Sequence, residues 1–445
     1  MNDFEFGNYI FEMRKKNNLT QSQLAKELGV SNKAISKWEN GKSKPTTDTL
    51  RKLSKLWNVP IENLLIMKDG DKKDMEITKI VITGGPCAGK STAMSWVQHA
   101  FTQKGYTVLF VPETATELIT GGVAPWTCGT NLDFQKCQMK LQLEKEKLFE
   151  QAAITMNAKK ILIVCDRGAL DNKAYMTDAE FSAVMNSLGT NEVELRDSYN
   201  AVFHLVSAAK GAESFYTTAN NNARTESVKE AAELDDKIIA SWTGHPHLRV
   251  INNEVDFEEK MKNLIAEVTS YLGEPEPYEI ERKFLIEYPN IKWLEENPNC
   301  KKVEIIQTYL KSLNPDEEVR VRQRGSDGNY IYTKTVKRKI NELKRIEIEK
   351  RLSQEEYLKL LMNADTTKRQ IRKTRYCLTY KNQYFEIDIF PFWNDIAIAE
   401  IELKDENQKI TFPKQLNIIK EVTNDENYKN AKLADASKNL NEKIL

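Results

Sequence analysis

The spacing of apolar positions changes twice along the chain, and each change marks a new kind of structure. From residue 6 to 66 apolar residues recur at helical spacing in short blocks. Leu24, Ala25 and Leu28 form one stripe, and Ile35 and Trp38 the next. Thr20 and Gln23 make a capping box, in which hydroxyl and side-chain amide satisfy the first free amides of a helix. Gly29 permits a turn and Ser31 caps a second helix, leaving Asn32, Lys33, Ser36 and Lys37 outward. From residue 77 the pattern becomes continuous apolar runs, such as Ile80–Ile82 and Ile161–Cys165, separated by amphipathic stretches. Such runs suit buried parallel strands with helical crossovers. From residue 279 the period is two, with charge on alternate positions. Met67–Asp74 has no period, and the prolines of Gly273–Pro277 forbid a continuing helix. The expected organisation is multidomain: 1–66 all-α, 67–76 linker, 77–272 α/β with a parallel sheet, 273–278 linker, and 279–445 antiparallel β.

Composition adds limits. Hydrophobic residues make up 40% and charged residues 29%, a globular balance. The longest apolar runs are far short of a bilayer span, so integral membrane association is not expected, and the N-terminal residues do not read as a signal peptide. Six cysteines without short paired spacing argue against a disulfide framework or a zinc site. A cytoplasmic location follows. The net charge is zero overall, yet residues 1–66 hold 11 Lys/Arg against 7 Asp/Glu.

Leu19–Ala25 and Ile35–Gly41 together resemble the Cro/phage-repressor type of helix-turn-helix. The resemblance implies that the second helix of the motif enters the major groove of double-stranded DNA. Asn32, Lys33 and Lys37 would then meet base edges, and Gln21 and Lys42 phosphates. It also implies a structural ion pair between Arg14 and Glu39. A single module offers few phosphate contacts, so a homodimer is expected.

The strand signal Ile80–Ile82 runs into Gly84-Gly85-Pro86-Cys87-Ala88-Gly89-Lys90-Ser91-Thr92, followed by a helical pattern. This is the Walker A phosphate loop in its required strand–loop–helix setting. Glycines let backbone amides approach phosphates, Lys90 neutralises their charge, and the Ser91 hydroxyl suits Mg²⁺. Asp166, ending the strand Ile161–Cys165, suits the second metal-side position. Arg167-Gly168 follows it where mechanochemical ATPases place a second carboxylate, which tilts the reading towards small-molecule kinases. Val108–Pro112 ending at Glu113, with Asp166-Arg167 after the next strand, resembles nucleoside kinases. There Glu113 would face an acceptor hydroxyl as base and Arg167 would hold it; the bland alternative is a Glu113–Arg167 salt bridge. The stretches Pro112–Leu118 and Asp166–Asp171 also resemble the family that includes nicotinamide-riboside kinases. Arg224, before a helical run, would reach nucleotide phosphates from a lid. With no Asn-Lys-x-Asp signature, ATP and GTP both remain open.

In the last piece Glu279-Ile-Glu281-Arg-Lys283, Arg320-Val-Arg322-Gln-Arg324, Glu347-Ile-Glu349, Glu386-Ile-Asp388 and Glu400-Ile-Glu402 alternate charged and apolar residues, and Lys334, Arg372 and Arg375 add cations. Apolar residues on the alternate positions need burial, so a closed barrel with a charged lumen is expected. The Glu-x-Glu-x-Lys strand resembles the CYTH superfamily, the triphosphate tunnel metalloenzymes. The resemblance places Glu279, Glu281, Glu349, Asp388, Glu400 and Glu402 beside Mg²⁺ or Mn²⁺. It places Lys283, Arg320, Arg322, Lys334 and Arg375 around a triphosphate or organic phosphate, with hydrolysis by a metal-activated water. A P-loop piece joined to such a barrel resembles the TRPL-translocation-defect proteins of animals. The DNA-binding module departs from that pattern and points instead to a regulator that senses nucleotides or polyphosphates. The alternatives are a kinase plus triphosphatase with autoregulatory DNA binding, or a phosphate-ligand adaptor without catalysis.

Overall fold

A computed structural model describes the backbone of all residues except 1–2, 18, 41, 58, 60–63, 65–74, 214–215, 217–226, 274–279, 313–316, 340–344, 404–407 and 436–445, and the side chains of the same residues except 3–5, 8, 12, 280, 338–339 and 345–348. Most of both expected linkers, Arg224 and Glu279 therefore lie outside the described residues. The chain divides into two units. One is residues 1–77 with 105–107 and 153–161; the other holds the rest, so the expected middle and C-terminal pieces share a unit.

The N-terminal residues form α1 (Asp3–Lys16), α2 (Gln21–Leu28), α3 (Asn32–Glu39) and α4 (Thr47–Trp57). The capping box at Thr20 and Gln23 is formed, and Gly29 ends α2 at φ 69°, a left-handed conformation that favours glycine. Ser31 caps α3 through its hydroxyl. Leu24, Leu28, Ile35 and Trp38 meet Phe6, Ile10, Leu50 and Leu53 in one apolar core.

Five strands follow: β1 (Glu76–Thr83), β2 (Thr107–Val111), β3 (Lys160–Asp166), β4 (Ala201–Leu205) and β5 (Leu248–Ile251). Their order is β2-β3-β1-β4-β5, and β1/β4 and β4/β5 are parallel. Residues 80–83 of β1, 161–165 of β3 and all of β4 are buried, which is why they read as unbroken apolar runs. The chain fills one side of β1 first and then crosses to the other. The reversal lies between β1 and β3, and the crevice beyond their carboxyl ends is where open α/β sheets bind ligands.

The C-terminal strands are β6 (Ile280–Glu287), β7 (Cys300–Leu310), β8 (Glu317–Ser326), β9 (Asn329–Lys339), β10 (Arg345–Leu352), β11 (Ile371–Tyr380), β12 (Gln383–Ile389), β13 (Ile396–Leu403) and β14 (Ile418–Glu421). They pair antiparallel in the order β10-β9-β8-β7-β11-β12-β13-β6-β14. One face is apolar: Phe284, Ile286, Leu378, Phe385, Ile387 and Ile401 pack with Leu294 and Leu416. The other carries the charged alternate residues.

The closed barrel expected from the charge pattern is not completed by any strand pair among the described residues. β10 and β14 are the edges, and β14 is short, exposed and irregular in register. The charged face is instead covered at two places. At one, Leu285, Tyr309, Ile371 and Ile398 pack with Phe390, Trp393 and Tyr428. At the other, the α/β layer lies against it: Arg324 reaches Asp197 and the Gly244 carbonyl, and the Tyr384 hydroxyl donates to the His245 carbonyl at 3.0 Å. Thr243 and Thr379 share a 2.9 Å hydroxyl contact, and Arg249 pairs with Glu402. Closure is one way to take charge out of bulk water; covering is another.

Candidate functional site

Three regions carry chemistry. In the helical module Asn32, Lys33, Lys37 and Lys42 are exposed, three of them on α3. Gln21 is placed differently from its expected phosphate role. Its amide donates to Glu39 Oε2 at 2.7 Å, within a brace in which Arg14 bonds Glu39 at 2.5 and 3.0 Å and the Leu19 carbonyl at 2.8 Å. The Arg14–Glu39 pair ties α1 to α3, as the resemblance implied.

The second region is the loop Gly84–Thr92 between β1 and the helix Lys90–Gln103. Gly84 has φ 140°, and a Cβ there would lie 2.0 Å from the Leu205 carbonyl oxygen, so only glycine passes this point. Lys90 Nζ lies 3.0 and 3.2 Å from the carbonyls of Gly84 and Gly85. Burial and the nearby Arg167 guanidinium pull its pKa down to about 8. Asp166 ends β3 with Oδ1 buried and without a hydrogen-bond partner, and Lys90 is among the charges acting on it. Burial raises its pKa. A buried carboxylate oxygen left unpaired beside a phosphate loop fits a divalent cation, and the exposed Ser91 hydroxyl is a second oxygen for it.

Glu113 forms the salt bridge with Arg167 and accepts from Thr116 at 2.6 Å. Burial opposes its charge, but Arg167 and Lys90 hold its pKa at about 2. A carboxylate that acidic is a poor proton acceptor at neutral pH, so the geometry favours a positioning pair over a free base. Pattern reading missed the support beneath the loop. The buried Asp235 accepts from the Gly85 amide at 2.8 Å and the Ser207 amide at 3.2 Å, and meets His204 at 3.1 Å and Lys210 at 3.2 Å. Burial works against its charge, but these contacts hold its pKa far below the usual range. Three segments converge there, and no local motif announces that.

The third region is the charged face. Register puts Glu281, Lys283, Glu400, Glu386, Asp388, Lys373, Arg375, Arg320 and Arg322 on it. Lys283 bonds Glu400 at 2.5 Å and Glu281 at 3.0 Å. Arg375 holds Asp388 at 2.6 Å, Glu400 at 3.0 Å and Glu386, and Lys373 pairs with Asp388. Burial and Glu400 push Glu281 up to about 7. Glu349 accepts from Thr335 at 3.1 Å, while Glu402 is engaged by Arg249. Among the described residues no three acidic, histidine or cysteine side chains gather as a metal-ligand set. Of the carboxylates expected beside a metal, Glu281 and Glu400 pair with Lys283, Asp388 with Lys373 and Arg375, and Glu402 with Arg249, while Glu349 meets Thr335.

The anion side is better formed. Arg322 has its Nε buried without a partner, and burial with Arg320 beside it lowers its pKa to about 10. A buried guanidinium with an unpartnered Nε suits a phosphate group. Lys334 lies elsewhere: opposite Val321 and Lys350, it is on the other face, and Thr333 and Thr335 occupy the charged one. Arg372 is likewise outward, bonding Gln370 at 3.0 Å. Lys373, which pattern reading passed over, and Glu386, which it placed on an alternating strand without a site role, belong to the charged cluster.

Comparison with known proteins follows these three regions. A helix-turn-helix family matches residues 10–64, an AAA domain family residues 79–260, and the CYTH domain family residues 277–435. An HTH-type transcriptional regulator of Methanocaldococcus jannaschii is 41% identical over 58 residues, which is 13% of this chain and 88% of that protein. The chain belongs to the helix-turn-helix regulator family. To that module it joins an AAA domain and a CYTH domain. The HTH-type transcriptional activator BcrR of Enterococcus faecalis is 48% identical over 61 residues, 14% of this chain. The chain spans 30% of BcrR and 44% of the regulator RghRB of Bacillus subtilis, so likeness to these relatives stops at the DNA-binding module. The crystal structure of the inorganic triphosphatase NE1496 is 28% identical, covers 35% of this chain and 94% of its own, and superposes with a TM-score of 0.27. No helix among the described residues is long and apolar enough to cross a membrane.

Proposed function

We propose that the chain is a DNA-binding regulator that binds ATP or GTP at the Gly84–Thr92 loop and a triphosphate or organic phosphate on the charged face of its CYTH domain. The observation that carries the reading is the phosphate loop itself: Lys90 at its rim, Ser91 beyond it and the unpartnered Asp166 Oδ1 beside it. Ser91 and Asp166 would hold Mg²⁺ or Mn²⁺, which supplies charge neutralisation for phosphoryl chemistry. Lys90 orients the phosphates, and the Glu113–Arg167 pair shapes the wall facing them. On the charged face Arg320, Arg322, Arg375 and Lys283 bind the second phosphate ligand, and hydrolysis of a phosphoanhydride bond is the reaction that such a site supports. A homodimer would place two α3 helices on successive major grooves, and the setting is the cytoplasm.

For DNA, Lys33→Ala and Lys37→Ala test the assignment of α3. Each lysine that meets a phosphate contributes about one unit to the dependence of log affinity on log salt, and removing it lowers that slope by about one. A lysine on base edges instead relaxes sequence preference at one position. Fluorescence anisotropy over a salt series distinguishes these outcomes. Unchanged affinity and slope for both variants would rule α3 out as the reading helix.

A second reading, a small-molecule kinase, is favoured by one observation. Asp166 Oδ1 and Arg167 Nη1, at the end of β3 beside Glu113, are buried without hydrogen bonds.

A further inference from the structure

The helix Val228–Trp242 is bonded to the phosphate loop, and the residues that follow it are bonded to the charged sheet. At its middle the buried Asp235 accepts from the Gly85 amide at 2.8 Å and the Ser207 amide at 3.2 Å. The approach is close: a Cβ on Gly85 would lie 2.9 Å from Asp235 Cβ and Oδ1. Ser207 in turn donates through its hydroxyl to the Pro86 carbonyl. The Gly85 carbonyl holds Lys90 Nζ at 3.2 Å. A single loop residue thus joins the ammonium that would meet phosphates to a carboxylate on this helix.

The last residue of the helix, Trp242, is fully buried against the Asp166–Gly168 turn. A Cβ on Gly168 would lie 2.5 Å from the Trp242 ring, so the turn rests directly on it. The indole N–H donates to Asp171 Oδ1 at 2.5 Å, and Thr83, at the end of β1, donates to Asp171 Oδ2 at 2.6 Å.

The three residues after Trp242 each meet a different strand of the CYTH sheet. Thr243 shares its hydroxyl contact with Thr379 of β11, the Gly244 carbonyl accepts from Arg324 of β8, and the His245 carbonyl accepts from Tyr384 of β12. Register sets these strand residues on the charged face. Arg324 is two residues along β8 from Arg322, Thr379 is four along β11 from Arg375, and Tyr384 lies opposite Thr379. Thr243, His245, Arg324 and Thr379 are all buried. A joint packed this closely transmits a shift instead of absorbing it in solvent.

Phosphates at Gly84–Thr92 would draw Lys90 off the Gly84 and Gly85 carbonyls. A cation on Ser91 and Asp166 would load the turn that rests on Trp242. Both events reach the same helix, at Asp235 and at Trp242. We infer that the helix Val228–Trp242 couples the two phosphate sites. Mg-nucleotide at Gly84–Thr92 changes the affinity of the Arg322 face for triphosphate, and triphosphate changes the affinity for nucleotide by the same factor. The inference rests on the proposed binding of both ligands and adds that each regulates the other.

The test is calorimetric titration of the full-length protein with inorganic triphosphate, at fixed Mg²⁺, without and with a non-hydrolysable ATP or GTP analogue, and then the reverse titration. The expected result is a change of at least about fivefold in triphosphate affinity that levels off as the analogue saturates, with the same factor in reverse. Thr379→Val combined with Tyr384→Phe removes two bonds of the joint. It should leave each ligand's affinity alone as in the parent and lower the coupling factor at least about twofold. Three results overturn the inference: both ligands bind the parent without affecting one another, triphosphate affinity falls without limit as the analogue rises, or the coupling factor is unchanged in the double variant. The second of these marks competition for one site. If the double variant fails to fold, the parent titrations decide. Failure of either ligand to bind alone removes the reading on which the inference rests, and the first titrations report that separately.

Discussion

A Lys90→Ala protein is expected to lose nucleotide affinity by at least about a hundredfold while keeping its fold. Among the described residues the ammonium bonds two loop carbonyls, Gly84 and Gly85. The truncation also takes a compensating charge from Asp166 and Glu113, while Arg167 still pairs with Glu113. What it removes is a cation aimed where phosphates would lie. Charge-assisted hydrogen bonds contribute about 1.5–3 kcal/mol each, and the loss of about 3 kcal/mol is two decades in affinity. Titration with Mg-ATP and Mg-GTP measures this directly. Inorganic triphosphate, which the account assigns to Arg322 and its neighbours on the CYTH sheet, should bind the variant as before. Equal nucleotide affinity in parent and variant would show that the loop is not the nucleotide site. Loss of both ligands together would show that the two sites are one.

The second large effect is expected at Asp197. Its carboxylate meets Arg196 at 3.0 Å and Arg324 at 3.2 Å, and its side chain is 1% exposed. Burial opposes its charge, and the two guanidinium groups hold it at about 2. The group joins the AAA domain to the charged sheet, because Arg324 lies on β8 and Asp197 follows the helix Glu192–Arg196. Asp197→Ala leaves two buried cations side by side. Breaking a buried ion pair from one side costs about 3–5 kcal/mol, mostly from the charge left without compensation. The expected outcome is a fall of several degrees in melting temperature. Trp242 fluorescence should report it early, since that ring packs 6.2 Å from His245 in the same joint. A variant as stable as the parent would mean that the joint contributes nothing to holding the two domains together.

The phosphate loop was legible in the sequence because its chemistry is local. Glycines, a lysine and a serine at fixed spacing between a strand and a helix leave few other readings. The helical module was legible for a similar reason: Thr20–Gln23, Gly29 and Ser31 place caps and turns, and the apolar stripe does the rest. The CYTH sheet was legible only as a period. Alternation says that residues share a face but not which face a new strand presents, since a shift of one residue reverses it. Lys334 fell on the wrong side for that reason, and Lys373 was passed over beside Arg372. Closure of the sheet was not legible either. The charge on Glu400, Asp388 and Arg375 is balanced by mutual pairing, and Arg324 and Glu402 are engaged by the AAA domain. Nothing in the alternation separates a residue that meets a ligand from one that meets another domain. The Asp235 support depends on distant segments meeting, and a single sequence shows such meetings only after folding.

A regulator of the proposed kind requires that nucleotide binding at Gly84–Thr92 bear on DNA binding by α3. The direct measurement is the affinity of the full-length protein for its own promoter DNA at fixed salt, with and without Mg-nucleotide, in the parent and in Lys90→Ala. A ligand shifts an equilibrium only by its differential affinity for the two states. The expected result is a change of at least fivefold in the parent, about 1 kcal/mol of coupling, and none in the variant. The same affinity in all four conditions would contradict it, leaving a DNA-binding protein whose nucleotide site serves some other purpose.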